Sequence, residues 1–351
     1  MTARVYVHVG PHKTGTTFLQ EVLKNNKSAL ASNGVLFPGE RYARQAEAVN
    51  DLLPGSKGLG EDPRPGRWKA LVREVAKWPG DITVLSHERI STAGSRSISR
   101  LVESLAPAEV HVVYAARDLT KVIPAMWQTR MRNQGSEAWA TYLQTVRGDP
   151  GVKAPWGQRL WNAHDPREVF GRWEKQVPPE HIHVVTVPPS GSAPGVLWER
   201  FCSAIGIDPT PYSLEVRRSN ESLGTAEVEV LRRINERVVA RISDSSYTRW
   251  VKVFTARRVL EKRPEQTKFA LPVEEQGWVR ERAEEIIGFL EKGRYSVTGD
   301  LRDLLPATTP TAARPDEVDL EQALDAAVDV IAAILAELDA GSEESPSTSR
   351  D

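Results

Sequence analysis

Apolar runs with the composition of buried strands alternate along the chain with segments of helical period. The runs are rich in β-branched residues and end at glycine, proline or polar residues, which is typical of parallel strands buried on both faces. We therefore predict an α/β fold in which helices flank a central parallel sheet in three layers. The strand-like runs are residues 5–9, a short extended piece at 35–38, and residues 82–86, 110–116 and 181–187.

Helical patterns dominate after residue 224. Apolar positions recur at helical spacing over 225–242, 247–261 and 273–291, which predicts a helical C-terminal extension. Residues 134–167 are rich in Gly, Pro and Trp without a clean period, and they indicate a lid or acceptor-binding insertion. The predicted organisation is a domain over 1–300 (core to about 224, helical part 225–300), a linker over 301–316, an acidic amphipathic helix over 317–339 and a disordered tail over 340–351.

Charge is divided unevenly between the body of the chain and its C-terminal end. Residues 316–351 hold 11 acidic residues and one basic residue, so residues 1–315 hold 45 basic and 36 acidic ones. A basic body suits an anionic ligand, although a solvated arginine-rich surface explains the same excess. The apolar stripe of the acidic helix indicates either docking on the basic body or pairing with a second copy in a homo-oligomer.

Composition excludes several classes of protein. The 351 residues, 40% of them hydrophobic, can bury a large core, and the single Cys202 excludes an intrachain disulfide and a cysteine-ligated metal site. The chain enters its first strand at once and has no apolar run of membrane-spanning length, so we expect a soluble cytoplasmic protein. Basic residues over 247–263 favour a solvated face over a nucleic-acid site, and no metal-ligating cluster is visible in the sequence.

The turn after the first strand carries the strongest chemical signal. Gly10 and Pro11 break the strand, and a helical pattern begins at Thr16. A loop that ends at a helix N-terminus directs backbone N–H groups and the positive end of the helix dipole at an anion, most often a phosphate. We predict that the anion is bound by Pro11, His12, Lys13, Thr14, Gly15, Thr16 and Thr17.

The position of the lysine separates this loop from the nucleotide-kinase pattern GxxxxGK[ST]. Gly10 and Gly15 have the required spacing, but Thr16 stands where the lysine belongs, and Lys13 precedes the second glycine by two residues. The run PHKTGTT resembles instead the 5′-phosphosulfate loop of sulfotransferases that use 3′-phosphoadenosine 5′-phosphosulfate (PAPS), in its bacterial form. The resemblance implies PAPS as cofactor, 3′-phosphoadenosine 5′-phosphate (PAP) as product, and no metal. An ordinary strand-to-helix turn is the competing interpretation.

Residues at the end of the second long strand are candidates for proton transfer. Ser86, His87 and Glu88 follow the run 82–86, and polar groups at strand ends collect around ligands in open α/β sheets. Transfer to a hydroxyl or amine needs a base. The resemblance implies Glu88 in that role, with His87 as the second candidate and Ser86 positioning phosphosulfate oxygens. Capping of the following segment is the structural alternative for Glu88.

Two further segments are candidates for the 3′-phosphate. Arg117 ends the strand 110–116, where the resemblance implies a phosphate-binding arginine followed eight residues later by a serine. Ala125 stands at the serine position, which departs from the family pattern. Arg217, Arg218 and Asn220 form a second anion-friendly turn, for which helix capping by Asn220 is an equal explanation.

The sequence thus predicts a P-loop-like sulfotransferase that moves the sulfuryl group of PAPS to a hydroxyl or amine of a small-molecule, carbohydrate or lipid acceptor. In this interpretation Lys13 is catalytic, because it stabilises charge on the leaving phosphate oxygen. Two alternatives stay open. One is a P-loop kinase or other nucleoside triphosphatase, and the other is an inactive sulfotransferase-like scaffold.

Overall fold

A computed structural model describes residues 2–39, 42–53, 65–152, 155–216, 222–307 and 312–343. In these ranges, six parallel strands form one sheet in the order β2-β3-β1-β4-β5-β6. The predicted α/β class, with a central parallel sheet flanked by helices and further helices after it, is confirmed. The strands are β1 (Arg4–His8), β2 (Val35–Leu36), β3 (Ile82–Ser86), β4 (Glu109–Ala116), β5 (Ile182–Thr186) and β6 (Ser296–Thr298).

Helices connect the strands and make up most of the C-terminal part. The α-helices of the described ranges are α1 (Thr16–Asn25), α2 (Lys27–Ser32), α3 (Tyr42–Leu52), α4 (Arg67–Lys77), α5 (Ser95–Leu105), α6 (Leu119–Met131), α7 (Trp139–Arg147), α8 (Pro155–His164), α9 (Pro166–Trp173), α10 (Val196–Ile205), α11 (Thr225–Val238), α12 (Asp244–Ser246), α13 (Gln276–Lys292) and α14 (Leu320–Glu343). A π-helix spans Tyr247–Val259, and 3₁₀ turns span Glu88–Thr92, Pro179–His181, Leu260–Lys262, Val273–Glu275 and Leu301–Leu304. None of the described helices combines the length and apolarity needed to cross a membrane.

Two features of the secondary structure were missed by the sequence patterns. Helices α7 and α8 lie within residues 134–167, where no helix was predicted. Their apolar positions are broken up by glycine and tryptophan, which hides the helical period. The edge strand β6 was missed because it has only three residues, two of them exposed, and so lacks the apolar run of a buried strand.

The position of β1 in the middle of the sheet follows from its side chains. Val5, Val7 and Val9 are fully buried, and β1 pairs with β3 on one side and β4 on the other. The register sets His8 beside Ser86 of β3 and Val113 of β4. Because the strands are parallel, the segments that follow them leave the sheet at the same edge. The predicted site residues after β1, β3 and β4 therefore share that edge.

Contacts divide the chain into two compact units. Unit 1 holds Met1–Met126, Leu143–Ser219 and Val273–Thr309, and it contains the whole sheet. Unit 2 holds Trp127–Tyr142, Asn220–Pro272 and Pro310–Asp351. Each unit combines segments that are distant in sequence.

Unit 2 is built around the C-terminal helix. Ala326 and Val330 of α14 are buried, and a groove of about 1130 Å³ lies between α14, α11 and the π-helix. Asp329 accepts a hydrogen bond from Arg263 at 2.7 Å, so acidic residues of α14 meet arginines of their own unit. Helix α14 runs to Glu343, slightly beyond the predicted end at 339, and residues 344–351 of the predicted tail lie outside the described residues.

Candidate active site

The loop between β1 and α1 has the backbone of an anion-binding turn. Lys13 and Gly15 both adopt left-handed conformations, with φ of 68° and 83°. Alternating backbone conformations of this kind turn successive N–H groups toward one concave side. The Thr14 hydroxyl donates to the Pro11 carbonyl at 2.7 Å and closes the loop on itself. The first turn of α1 has neither a side-chain cap nor an acidic residue, so its N-terminus keeps its positive character.

Both glycines of the loop region are required by sterics. A Cβ on Gly10 would lie 2.5 Å from His8 Nε2 and 3.2 Å from the Ala115 Cβ. A Cβ on Gly15 would lie 2.4 Å from Leu197 Cδ2, and its left-handed φ already disfavours a side chain. The loop is therefore pressed closely against the sheet and α10.

Arg117 follows β4 and lies against this loop, and its role at the 3′-phosphate stays a prediction. Its guanidinium donates to the Lys13 carbonyl at 2.5 Å. The bond fixes the left-handed residue of the loop, which costs free energy in a lysine and needs such support. Burial lowers the pKa of Arg117, while Asp118 opposes the shift, and the group stays charged at neutral pH. Asp118 itself accepts from the Thr120 backbone N–H and hydroxyl, both at 2.7 Å.

Ser86 joins the end of β3 to β1 and α1. Its hydroxyl lies 2.7 Å from His8 Nδ1, and the Gln20 amide donates to the same oxygen at 3.2 Å. The Gln20 amide is also 3.3 Å from Glu88 Oε2. The hydroxyl of Ser86 is buried among these partners. The Ser86 hydroxyl thus links β3 to β1 and α1. The Gln20 amide that donates to this hydroxyl also donates to Glu88.

Glu88 and the loop come together at the open side of the site. Glu88 Oε1 lies 3.8 Å from His12 Nδ1, and the two side chains are 23% and 41% exposed. The Glu88 carboxylate is therefore partly open to solvent beside the loop between β1 and α1. The sequence placed Glu88 and His12 seventy-six residues apart, and the parallel register of β1 and β3 brings them into contact.

The charge of Glu88 is set by several opposing effects. Burial is the largest single effect on Glu88 and acts to raise its pKa. The charges of His87 and His12, together with hydrogen bonds from the Glu88 backbone N–H and from Gln20, act against burial and lower the pKa of Glu88 to about 2. Glu88 is therefore ionised across the neutral range.

His87 has a structural task that limits its use as a base. It caps the 3₁₀ turn Glu88–Thr92, and its Nδ1 accepts from the Arg89 backbone N–H at 3.2 Å. A neutral imidazole that accepts at Nδ1 carries its proton at Nε2, so neither nitrogen has a spare lone pair. The capping role that the sequence left open for Glu88 thus falls to the side chain of His87.

Some site residues were missed by sequence reasoning, and others are not described. His8 and Gln20 were missed, although a polar residue inside an apolar strand and one on the buried face of α1 were available signals. Ala125 lies within α6. The predicted 3′-phosphate residues Arg217, Arg218 and Asn220 lie outside the described residues.

Buried histidines near the site predict a loss of stability in mild acid. Burial lowers the pKa of His8 to about 4 and that of His164 to about 3. The folded state therefore binds fewer protons than the unfolded state between pH 6.5 and about 4. Above pH 6.5 His8 is mostly neutral in both the folded and the unfolded state. Between pH 7 and 5 only the unfolded state takes up the proton, so the free energy of unfolding should fall by about 2 kcal/mol. Urea unfolding at pH 7 and at pH 5 measures this difference. A His8→Asn variant should lose that part of the difference, and an unchanged difference would contradict the assignment.

Comparisons with known proteins add little to this geometry. No protein-family model matches the chain, and no curated protein matches it in sequence. Among solved structures, the chain is similar to the crystal structure of a sulfotransferase from Alicyclobacillus acidocaldarius, at 12% sequence identity and a TM-score of 0.41. The match covers 70% of this chain and 98% of that one. The α/β fold and the residues of the site therefore carry the functional interpretation.

Proposed function

We propose that the protein is a PAPS-dependent sulfotransferase. One observation carries the proposal: a loop with the residues Lys13, Gly15, Thr16 and Thr17 of the phosphosulfate-loop pattern lies beside an ionised, accessible Glu88. The loop offers backbone N–H groups and a lysine to an anion, and the carboxylate offers a proton acceptor next to it. These are the two functions that transfer of a sulfuryl group to a hydroxyl requires.

The residues of the loop fit a phosphate for steric and electrostatic reasons. Gly10 and Gly15 leave out side chains that would collide with the strands and α10, and the N-terminus of α1 favours negative charge. In the proposed complex the loop N–H groups and Thr16 and Thr17 hold the 5′-phosphate. Lys13 donates to the oxygen that leaves the sulfur. Arg117 holds the loop in place through the Lys13 carbonyl and adds positive charge.

Transfer then needs one proton acceptor and no redox change. The acceptor oxygen or nitrogen forms a bond to sulfur while the bond from sulfur to the leaving phosphate oxygen breaks. The proton of the acceptor passes to Glu88, which Gln20 orients at 3.3 Å. Ser86 has no direct role in this scheme, because His8 and Gln20 already engage its hydroxyl. We propose a hydroxyl or amine of a small molecule, carbohydrate or lipid as acceptor.

Transfer of labelled sulfate tests this function. Incubation of the full chain with ³⁵S-labelled PAPS and a panel of phenol, sugar, lipid and amine acceptors should label at least one acceptor class and release PAP in equal amount. ATP with magnesium should not serve as a donor to the same acceptors. A protein that labels no acceptor and binds neither PAPS nor PAP would contradict the proposal, and transfer from ATP would establish the kinase alternative.

The exposed apolar residues of helix α14 predict that the protein self-associates. Leu324, Val328, Ile331, Leu335 and Leu338 are exposed and follow one another at alternating spacings of four and three residues. That spacing is the seam of a coiled coil, and we propose that a second copy covers it. Light scattering after gel filtration should show a dimer, and Leu335→Glu should yield a monomer while the polar-face change Glu337→Gln should not. A wild-type chain that stays monomeric at micromolar concentration would contradict this prediction.

A further inference from the structure

A second cluster of histidines lies at the amino ends of the strands, away from the phosphate loop. Ligand atoms of Glu109, His111 and His181 all lie within 4.8 Å of one another. Glu109 Oε2 is 3.7 Å from His111 Nε2, and the imidazole rings of His111 and His181 stack with centroids 4.2 Å apart. No local sequence pattern indicates this cluster, because His181 lies seventy residues after His111.

Strand pairing explains why these residues meet. Glu109 and His111 are two residues apart on β4, so their side chains point to the same face of the sheet. Strands β4 and β5 pair with Val112 beside Ile182, and the residue before each is His111 and His181. The cluster is therefore fixed by the sheet rather than by flexible loops. Side chains on the strands of a sheet are held in place more precisely than side chains on loops, which suits a metal site.

The hydrogen bonding of His111 leaves one ring nitrogen in need of a partner. His111 Nδ1 lies 3.0 Å from His183 Nε2, so this nitrogen is engaged. His111 Nε2 is buried and has no hydrogen-bond partner among the described residues. It faces the Glu109 carboxylate, and a metal ion between the two would satisfy both groups. A ligating histidine commonly uses its second nitrogen for an orienting hydrogen bond, as His111 does toward His183.

We infer that Glu109, His111 and His181 bind a divalent transition-metal ion, and that Zn²⁺ is the preferred ion. Two imidazoles and one carboxylate form a donor set that zinc prefers and that magnesium and calcium do not. In a tetrahedral site, donor atoms about 2.0–2.2 Å from the ion lie about 3.3 Å from each other. The 3.7 Å between Glu109 and His111 is close to that value, and the exposed Glu109 side chain can move inward.

The proposed metal site lies far from the candidate active site, so its role would be structural. His111 and Arg117 are six residues apart along β4 and its end, which is about 20 Å of extended chain. The ion would therefore lie at the opposite edge of the sheet from the phosphate loop. It would join the start of β4 to the 3₁₀ turn Pro179–His181 before β5.

Calorimetric titration of the tag-free, EDTA-treated full chain with ZnCl₂ tests the inference. We expect one Zn²⁺ per chain and no comparable binding of MgCl₂. Glu109→Gln and His181→Ala should each weaken zinc binding by about tenfold or more. Both residues are at least partly exposed, so the variants are expected to fold. Zinc should also raise the melting temperature of the wild-type chain and not that of His181→Ala.

Two control variants locate the ion. Glu180→Gln changes an exposed carboxylate next to His181 and should leave zinc affinity unchanged. His12→Ala removes a histidine at the other edge of the sheet and should also leave it unchanged. If zinc binding is absent, survives in Glu109→Gln and His181→Ala, or is lost in His12→Ala, the proposed site is wrong.

Discussion

Replacing Lys13 with alanine is expected to lower kcat/KM for PAPS by about 10²–10³-fold. Loss of one preorganised donor at a developing oxyanion typically costs this much. Lys13 lies in the loop at the N-terminus of α1, where the leaving phosphate oxygen is proposed to bind. Alanine is no better suited than lysine to the left-handed φ of 68°, so the backbone of the loop should be equally strained in both proteins.

The matched control for this variant is Lys24→Ala on α1, the helix that follows the loop. Lys24 is exposed near the C-terminal end of α1 and pairs with Glu21 at 3.2 Å. Its replacement also removes one positive charge but leaves the loop untouched, so turnover should stay within about twofold, as for a surface ion pair of little energetic weight. If Lys13→Ala transferred labelled sulfate from PAPS as fast as the wild-type protein, the loop would not be the phosphosulfate-binding site.

Replacing Glu88 with glutamine is expected to lower kcat by about 10²–10⁴-fold, the usual contribution of a general base. Glutamine keeps the size of the side chain and an oxygen for the hydrogen bond from Gln20. The affinity for PAP should therefore change little, and the effect should appear in kcat rather than in nucleotide binding. Since the pKa of Glu88 is held at about 2, this carboxylate should cause no acidic limb in kcat/KM above pH 5. Steady-state kinetics from pH 5 to 9 measure both effects.

A pair of variants separates Glu88 from its neighbour His87. His87→Asn removes the imidazole and supplies another good capping side chain for the Glu88–Thr92 turn. It should keep most of the turnover, and so should Glu103→Gln, which alters an exposed carboxylate on α5. If Glu88→Gln stays active while His87→Asn does not, the base is His87 and the tautomer assigned from the Arg89 hydrogen bond is incorrect.

Local patterns predicted the parts of the site that lie on one continuous segment. The loop between β1 and α1 follows from an apolar strand, a glycine-containing turn and a helical period, all within twenty residues. The ends of β3 and β4 were predicted in the same way, and parallel strands then imply that Glu88 and Arg117 share one edge with the loop. The structure brings these residues together as the pattern required.

Contacts that join distant segments were beyond the sequence. Gln20 holds Glu88 across sixty-eight residues, and the metal-type cluster depends on the pairing of β4 with β5. Unit 2 likewise combines three separate parts of the chain. A hydrophobic period reports which face of a segment is buried, but it does not report which segment covers that face.

Thermal unfolding with different nucleotides tests the central claim most directly. PAP at about a hundred times its dissociation constant should stabilise the folded chain by roughly 2.7 kcal/mol. ADP, which lacks the 3′-phosphate, should stabilise it much less at the same concentration, and ATP with magnesium should do no better than ADP. Greater stabilisation by ATP with magnesium than by PAP would contradict a PAPS site at the loop after β1. The absence of stabilisation by every nucleotide tested would contradict it too.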